Sequence, residues 1–389
     1  MKKNILFIYS SMMVGGSTTS LLSLLNNIDY ERYNIDLQLY DNNGELQSQI
    51  NNQVNILEPC NKKVKKYKKF INPLFWMELF LARFLSGIKK NRLINAQFMS
   101  KYEAMATERL PKEYDVAVSF LEFWPTEYLV RRTNAKKKFS WIHIDIKEGG
   151  LLRFASKQLY KKIDKIVLVS DSCKQNFGLM YPEYQQKTYC VENLLSSSLV
   201  RSLSQEPTKL ALTGSLKFIT VCRIVYASKG LDRALKAFYK LKEEGTLSQD
   251  VKWYVVGAGL DYEKMEQYIK NNNLEENVIL LGEHSNPYCI EKQADIFLLP
   301  SRYEGKPMAV TEAHMLGLVP VVCKYSSATE QIRDGIDGII AENNDEDIYN
   351  KLRALLKGEY DIETLRDNVV ERDFSNIEEI EKLYKLIEG

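Results

Sequence analysis

The feature that most constrains the fold of this 389-residue chain is a repeated alternation of short apolar segments with amphipathic helical patterns. Near-continuous apolar strands that are separated by helices predict parallel sheets covered by helices on both faces. The predicted strands are ILFIY (5–9), IDLQLY (35–40), VNIL (54–57), DVAVSF (115–120), KFSWIHI (138–144), KIVLVS (165–170), TYCVE (188–192), KFITVC (217–222), KWYVV (252–256), VILLG (278–282), IFLLP (296–300) and VPVVC (319–323).

A polar, serine-rich segment at 194–215 divides these strands into two series and is typical of a linker. Since the chain is also too long for one ordinary core, we predict two Rossmann-like domains, 1–195 and 196–370. The remaining segment, 371–389, has apolar residues at helical spacing, and Ser375 with Glu378 forms a capping-box pattern. These features predict a terminal helix that needs an apolar surface to pack on.

Composition narrows the class of protein. The net charge of +2 conceals 29 Lys and Arg against 19 Asp and Glu in residues 1–195, and 24 against 32 in the remainder. Six scattered cysteines without a C-x-x-C pair, and only three histidines, argue against a disulfide framework or a structural zinc site. They favour a reducing, cytoplasmic compartment. The first residues are interpreted as a strand rather than a signal peptide, and no apolar run reaches the ~18 residues of a membrane span.

The segment PSRYEGKPMAVTEAHML (300–316) places two carboxylates eight positions apart. Glu304 is predicted in the loop that leaves a buried strand, and Glu312 one to two turns into the helix that Pro307 begins. Lys306 is not a capping residue, so the N-terminus of that helix is predicted to be open to an oxygen-rich or anionic ligand. Ligands of open parallel sheets bind beyond the carboxyl ends of strands, where this loop lies. A solvated pair of glutamates is the alternative.

Two further patterns suit phosphate groups. In CRIVYASKGLDRAL, Arg223 ends a predicted strand and Lys229 begins a helix, a placement that suits a diphosphate. An ordinary exposed lysine is the alternative for Lys229. In VGGSTTSLLSLL, Gly15 and Gly16 lie between the first strand and its helix, although the pattern is not G-x-G-x-x-G.

With these residues the chain resembles the retaining glycosyltransferases of the group 1 class, also called glycosyltransferase family 4, which have the GT-B fold. The resemblance implies two Rossmann-like domains whose parallel sheets face each other across a cleft, with a C-terminal helix that crosses back to the N-terminal, acceptor-binding domain. It also implies that Glu304 binds the donor sugar, together with the backbone of the next residues. Those residues are Gly305, Lys306, Pro307 and Met308.

The same resemblance implies the other donor contacts. Glu312 would bind the ribose, Arg223 and Lys229 the diphosphate, and His284 would lie along the base. Gly15 and Gly16 would approach the phosphates. His143, in WIHID, resembles the histidine that reaches the reaction centre, although a satisfied core histidine is the alternative.

The resemblance further implies transfer with retention of configuration and without a metal ion or other cofactor. The only D-x-D pattern, Asp345 to Asp347, is explained by acidic residues at a helix start. UDP is the nucleotide that the resemblance favours. The predicted function is transfer of a sugar from a nucleotide-sugar to a glycan or lipid-linked acceptor in bacterial surface polysaccharide synthesis. The alternatives are a nucleotide-sugar epimerase of the same fold and a non-catalytic partner subunit.

The stretch 61–94 carries ten Lys and Arg against one Glu, around a run rich in Phe, Leu, Trp and Met. This pattern suits peripheral attachment to an anionic membrane at the inner face of the cell membrane. A helical insertion that packs on its own domain is the alternative. Nucleic-acid binding is not predicted, because no recognised binding module accompanies the charge.

Overall fold

A computed structural model describes residues 2–13, 15–63, 73–89 and 91–389. Within the predicted stretch 61–94, the residues at 64–72 and Lys90 lie outside the described part of the chain. Two units can be distinguished, Met1–Leu195 with Asn376–Gly389, and Ser196–Ser375. Each contains one parallel sheet with helices, so the predicted fold class is confirmed.

The first unit is built on a seven-stranded parallel sheet with the order β3-β2-β1-β4-β5-β6-β7. The order changes direction between β1 and β4, which are neighbours. Its strands are β1 (Lys3–Tyr9), β2 (Tyr33–Leu39), β3 (Asn55–Ile56), β4 (Glu113–Ser119), β5 (Asn134–Ile142), β6 (Lys165–Leu168) and β7 (Thr188–Cys190). Its α-helices are α1 (Gly16–Asn27), α2 (Pro73–Lys89), α3 (Arg92–Ala106), α4 (Trp124–Arg132), α5 (Arg153–Lys161), α6 (Asp171–Met180) and the terminal helix α16 (Glu379–Glu388).

The second unit is built on a six-stranded parallel sheet with the order β10-β9-β8-β11-β12-β13, which changes direction between β8 and β11. Its strands are β8 (Leu216–Val221), β9 (Val251–Val256), β10 (Val278–Gly282), β11 (Ile296–Leu299), β12 (Val319–Cys323) and β13 (Ile339–Ala341). Its helices are α7 (Ser197–Ser204), α8 (Tyr226–Lys229), α9 (Leu231–Glu243), α10 (Tyr262–Asn271), α11 (Tyr288–Glu291), α12 (Met308–Met315), α13 (Ala328–Gln331), α14 (Asp345–Leu356) and α15 (Ile362–Val370).

Strand β11 shows why the central strands are apolar throughout. Ile296 and Leu298 belong to the apolar cluster on one side of the sheet, and Phe297 and Leu299 to the cluster on the other. All four side chains are at most 1% exposed. Since successive side chains of a strand point to opposite faces, a strand covered on both sides is apolar at every position.

The serine-rich segment predicted as a linker contains the boundary between the two units. It also contains helix α7, whose first turn is capped by Ser196 through a hydrogen bond from the backbone N–H of Leu199. One local expectation needs correction. The terminal helix begins at Glu379, so Ser375 is not its cap and the predicted capping box is wrong. Asn376 instead accepts a hydrogen bond from the backbone N–H of Leu195 at 2.8 Å, which ties the start of the terminal segment to the first unit.

The terminal helix α16 packs on the core of the first unit, as predicted. Leu383 is fully buried and Ile387 is 1% exposed, and both belong to the apolar cluster that includes β1. The hydroxyl of Tyr384 accepts a hydrogen bond from the backbone N–H of Asp29 at 2.8 Å. These contacts show that the apolar surface on which the terminal helix packs is the core of the first unit.

Candidate functional site

The candidate site lies where the strand order of the second sheet changes direction. Strands β8 and β11 are neighbours there, and their helical connections leave on opposite sides. Such a switch point opens a crevice at the carboxyl ends of the two strands, and ligands of doubly wound sheets bind in it. Arg223 follows β8, and the loop with Glu304 follows β11, so topology brings the two predicted segments to one place.

Lys229 and Glu304 form an ion pair at this point. The Nζ of Lys229 lies 2.6 Å from Oε1 of Glu304, and the hydroxyl of Ser301 donates to the same oxygen at 2.6 Å. The side chains are 21% and 12% exposed, respectively. A ligand that reaches them therefore meets a carboxylate and a cation whose relative positions are already fixed.

The close approach of the two segments depends on Gly230, which follows Lys229. Gly230 has φ +66°, and a Cβ added there would lie 2.2 Å from the carbonyl oxygen of Pro300. Only glycine permits both this backbone conformation and this distance. The absence of a side chain therefore lets the α8–α9 corner press against the loop that carries Glu304.

Arg223 is exposed and follows β8 by two residues. The charge of Arg223 affects the pKa of Tyr303, the residue before Glu304. Burial raises the pKa of Tyr303, the charge of Glu304 raises it further, and Arg223 lowers it. Two cations, one half-buried and one exposed, thus lie at the mouth of the crevice, where an anionic ligand would be attracted.

Two side chains hold the backbone between Glu304 and Glu312 through hydrogen bonds. The hydroxyl of Ser327 donates to the carbonyl of Gly305 at 2.7 Å, and the amide of Gln331 donates to the carbonyl of Pro307 at 3.0 Å. Helix α12 begins at Met308, one residue later than predicted, and no side chain caps it. Its N-terminus therefore presents the positive end of the helix dipole at the site.

Glu312 lies inside α12 and is only 7% exposed. The hydroxyl of Tyr288 donates to its Oε1 at 2.8 Å. Burial raises the pKa of Glu312 from 4.5 to about 7, and the hydrogen bond from Tyr288 opposes that shift. The carboxyl is consequently poised between its neutral and ionised forms near neutral pH, and a ligand that donates to it would favour the ionised form.

A second buried carboxyl, which the sequence did not single out, lies near Glu312. Glu291 is 1% exposed, and neither of its carboxyl oxygens has a hydrogen-bond partner among the described residues. Burial raises its pKa well above 4.5, and the charge of Glu312 raises it further. Glu291 therefore keeps its neutral form well above the pH at which an exposed glutamate ionises. The only signal in the sequence was an acidic residue within the short helix that also carries Tyr288.

The remaining predicted residues occupy other places. His284 follows β10, an edge strand two positions from the switch point, and its imidazole Nε2 lies 3.2 Å from the carbonyl oxygen of Leu281. Gly15 and Gly16 belong to the first unit, where they are exposed between β1 and the start of α1. They follow a strand at the switch point of that sheet.

His143 also belongs to the first unit and lies just beyond β5, which ends two residues earlier than predicted. Its ring packs against Phe120 with centroids 4.7 Å apart, and neither ring nitrogen has a hydrogen-bond partner among the described residues. Burial lowers its pKa to about 3, against the opposing effect of the nearby Asn193 side chain, so the imidazole is neutral at physiological pH. A neutral imidazole can accept one hydrogen bond and donate another, so it can interact with a ligand.

The described residues contain no group of three or more metal-ligating side chains that could hold a metal ion. The D-x-D pattern forms the first turn of α14, as predicted. There the carboxylate of Asp345 forms an ion pair with Arg233 at 2.9 Å.

The architecture, with one doubly wound parallel sheet in each unit and a terminal helix that returns to the first, is that of the GT-B glycosyltransferases. Residues 204–373 match the family model of glycosyl transferases group 1, a range that covers most of the second unit. The second unit is therefore a group 1 glycosyltransferase domain, and the resemblance found in the sequence is confirmed at this level.

Individual proteins with similar sequence are glycosyltransferases, and a solved structure shares the fold. An uncharacterised glycosyltransferase of Methanocaldococcus jannaschii is 26% identical over 66% of this chain and 62% of its own length. The UDP-Gal:α-D-GlcNAc-diphosphoundecaprenol α-1,3-galactosyltransferase of Escherichia coli is 32% identical over 29% of each chain. The chain thus spans less than two thirds of either relative. Among solved structures, HepE of Anabaena in complex with UDP is similar over 100% of both chains, with a TM-score of 0.69 and 15% identity.

Proposed function

We propose that this protein is a retaining, metal-independent glycosyltransferase that moves a sugar from a UDP-sugar to a glycan or lipid-linked acceptor in bacterial surface polysaccharide synthesis. The observation that carries the proposal is the arrangement of Glu304, Lys229 and Glu312 at the switch point of a group 1 glycosyltransferase domain. Two carboxylates and a fixed cation in one crevice suit a ligand that has both hydroxyl groups and phosphates.

In this proposal each group has a separate task. The Glu304 carboxylate accepts hydrogen bonds from hydroxyls of the donor sugar, and the backbone from Gly305 to Met308 contributes donors. Lys229 and Arg223 neutralise the charge that develops on the diphosphate as its bond to the sugar breaks. Glu312, inside helix α12, accepts hydrogen bonds from the ribose hydroxyls.

In the proposed step the sugar passes directly from the diphosphate to the acceptor, without an enzyme nucleophile. The acceptor oxygen forms a bond to the anomeric carbon, the bond from that carbon to the diphosphate breaks, and its electron pair leaves with the UDP. The proton of the acceptor hydroxyl passes to the departing diphosphate on the same face of the sugar, which accounts for retention. His143 is proposed to contribute a neutral hydrogen-bonding group at the reaction centre.

The choice of donor and acceptor rests on the relatives. The similar protein of Escherichia coli is named for a UDP-sugar donor and a diphosphoundecaprenol-linked acceptor, and HepE was solved with UDP. We infer the same classes of donor and acceptor for this chain, and place its work at the inner face of the bacterial membrane.

The experiment that tests this function follows UDP release from UDP-glucose, UDP-galactose and UDP-N-acetylglucosamine with EDTA present. We expect slow release of UDP from one donor, with the free sugar appearing first as the α anomer in NMR spectra. Glu304→Gln should lower the rate by about 10²-fold or more, because the carboxylate that orients the sugar is lost.

Other outcomes would assign the site differently. Conversion of one UDP-sugar into its isomer without UDP release would identify an epimerase. A well-folded protein that binds none of the donors would indicate a non-catalytic partner subunit. Turnover that requires an added divalent cation would overturn the metal-independent mechanism alone.

A further inference from the structure

Helix α2 of the first unit exposes large apolar side chains along one side. Phe80 is 73% exposed, Ile88 65%, Met77 60%, Phe84 56% and Leu81 37%. At the ~100° per residue of an α-helix, these five residues fall within an arc of about 100°; we call them the outer face. The corresponding side of a helix in a globular protein normally carries polar and charged residues.

The opposite side of α2 already has a packing partner. Phe75 and Ala82 are 5% and 0% exposed and form an apolar cluster with Phe98 and Tyr102 of α3. Lys101 of α3 donates to Glu78 of α2 at 2.7 Å, which fixes the same side. Packing on α3 therefore explains why the inner residues of α2 are apolar. It does not explain why the outer face is apolar.

The outer face is aromatic in part. The rings of Phe80 and Phe84 stack with centroids 6.3 Å apart and an angle of 11° between their planes. Because the two residues are one turn apart on an ordered helix, they form one continuous apolar surface. Such a surface needs no folding step before it binds a partner.

The charge around the outer face points to the kind of partner. Lys62, Arg83, Lys89 and Arg92 are exposed in the described residues near α2. The only acidic residue between 61 and 94 is Glu78, which is paired with α3. An apolar helical face flanked by cations matches a surface of anionic headgroups above hydrocarbon, whereas a second copy of this chain would bring like charges together.

We propose that the outer face of α2 docks into the headgroup region of an anionic phospholipid bilayer. The helix lies in the membrane surface, with Phe80, Phe84 and their neighbours among the upper acyl chains and the cations at the phosphates. No helix in the described part of the chain is long and apolar enough to cross a membrane.

Docking also has a consequence for the acceptor, which rests on the function proposed above. The side of α3 that faces away from α2 lines a cavity of about 390 Å³, with Arg92, Asn95 and Glu103 among its walls. Glu122 and Trp124, which follow β4 at the switch point of the first sheet, complete it. The cavity thus lies on the opposite side of α3 from the docked helix α2, where it would receive the polar group of an acceptor anchored in the same bilayer.

Vesicle flotation with the full chain tests the proposal. We expect the wild type to float with vesicles of phosphatidylcholine and phosphatidylglycerol, and to stay unbound with phosphatidylcholine alone or at high salt. Phe80→Glu should lower the bound fraction at least about tenfold, because a buried phenylalanine contributes that much and a charge replaces it. Phe154→Glu is the matched control, since Phe154 is an exposed phenylalanine (62%) of the same unit outside α2.

The outcomes are distinct. Equal flotation of the wild type and Phe80→Glu, or equal loss in both variants, would overturn the proposal. Concentration-dependent dimers that Phe80→Glu abolishes, without binding to vesicles, would assign the outer face to a second copy instead. UDP binding, measured in solution on the same samples, should be unchanged by Phe80→Glu. Failure of the wild type to bind UDP would refute the proposed function and leave the flotation result standing.

Discussion

Glu312 allows the proposed nucleotide site to be tested through its ionisation. Burial raises the pKa of this carboxyl from 4.5 to about 7 in the ligand-free protein. Ribose hydroxyls that donate to the carboxylate would stabilise its ionised form and lower the pKa again. Proton linkage then requires the affinity for UDP to increase as the pH rises toward about 7, and to level off above it.

The size of the effect follows from the two pKa values. If the bound carboxyl returns to 4.5, the affinity changes about twentyfold between about pH 5.5 and about pH 7.5, or about 1.8 kcal/mol. Binding near pH 6 should release close to one proton, a quantity that calorimetry in buffers of different ionisation enthalpy measures directly. The diphosphate of UDP also changes its charge in this range. Glu312→Gln, which keeps the shape but cannot ionise, therefore has to be titrated in parallel.

The test is the difference between the wild type and Glu312→Gln. We expect the wild type to show a steeper increase in affinity and a larger proton release than Glu312→Gln. Identical pH profiles would show that the carboxyl does not bind the ligand in its ionised form. A wild-type affinity that falls relative to the variant as the pH rises would refute the reasoning outright.

Three further predictions concern other residues. Lys229→Met should lower UDP release by about 10²-fold or more, since it removes the cation beside the departing diphosphate. Glu291→Gln should become more stable relative to the wild type as the pH rises above 4.5, because the raised pKa of Glu291 makes its ionisation destabilising; denaturant titrations at several pH values measure this. Gly230→Ala should destabilise the protein by about 3 kcal/mol, because its Cβ would meet the Pro300 carbonyl, whereas Gly245→Ala, also at positive φ but in open space, should cost about 1 kcal/mol in thermal melts.

Each of these has a result that counts against it. Unchanged turnover in Lys229→Met would remove the lysine from the mechanism. A stability difference between wild type and Glu291→Gln that does not vary with pH would mean that Glu291 is not held neutral by the fold. Equal melting temperatures for the two alanine variants would show that the α8–α9 corner can move away from the loop.

The strands were predictable because burial on both faces leaves a simple pattern. Ile296 to Leu299 are apolar at every position since each side of the sheet has its own core. The neighbours of each strand are not encoded in such a pattern. Lys229 and Glu304 are 75 residues apart, and the adjacency of β8 and β11 brings them together. The sequence predicted only that Glu304 follows a strand and that Lys229 begins a helix.

The supporting side chains were harder to find. Ser327 and Gln331 hold the loop after Glu304 from a short helix further along the chain, and nothing in their own segment marks them. Glu291 looks like an ordinary surface glutamate in sequence, because its burial depends on packing around a four-residue helix. Sequence patterns report which faces are buried on average, and not where one side chain of a short element points.

At the end of the chain, too, the sequence pattern predicted the helix but not the residue at which it begins. The apolar spacing of α16 correctly predicted a helix that packs on an apolar surface, and the family resemblance correctly implied that this surface belongs to the first unit. The capping pattern of Ser375 and Glu378 failed because Asn376 is held by the backbone near Leu195, so the helix starts only at Glu379. A tertiary contact decided the boundary against a local signal.

The most direct test of the central claim is a calorimetric titration of UDP into the purified protein with EDTA present. We predict saturable binding to one site, weakened about tenfold or more in Glu312→Ala and unchanged in Glu276→Ala, an exposed glutamate of the same unit. GDP should bind more weakly than UDP. No heat of binding with either nucleotide in a well-folded sample, or equal affinities in the two alanine variants, would contradict a nucleotide-sugar site at the switch point of the second sheet.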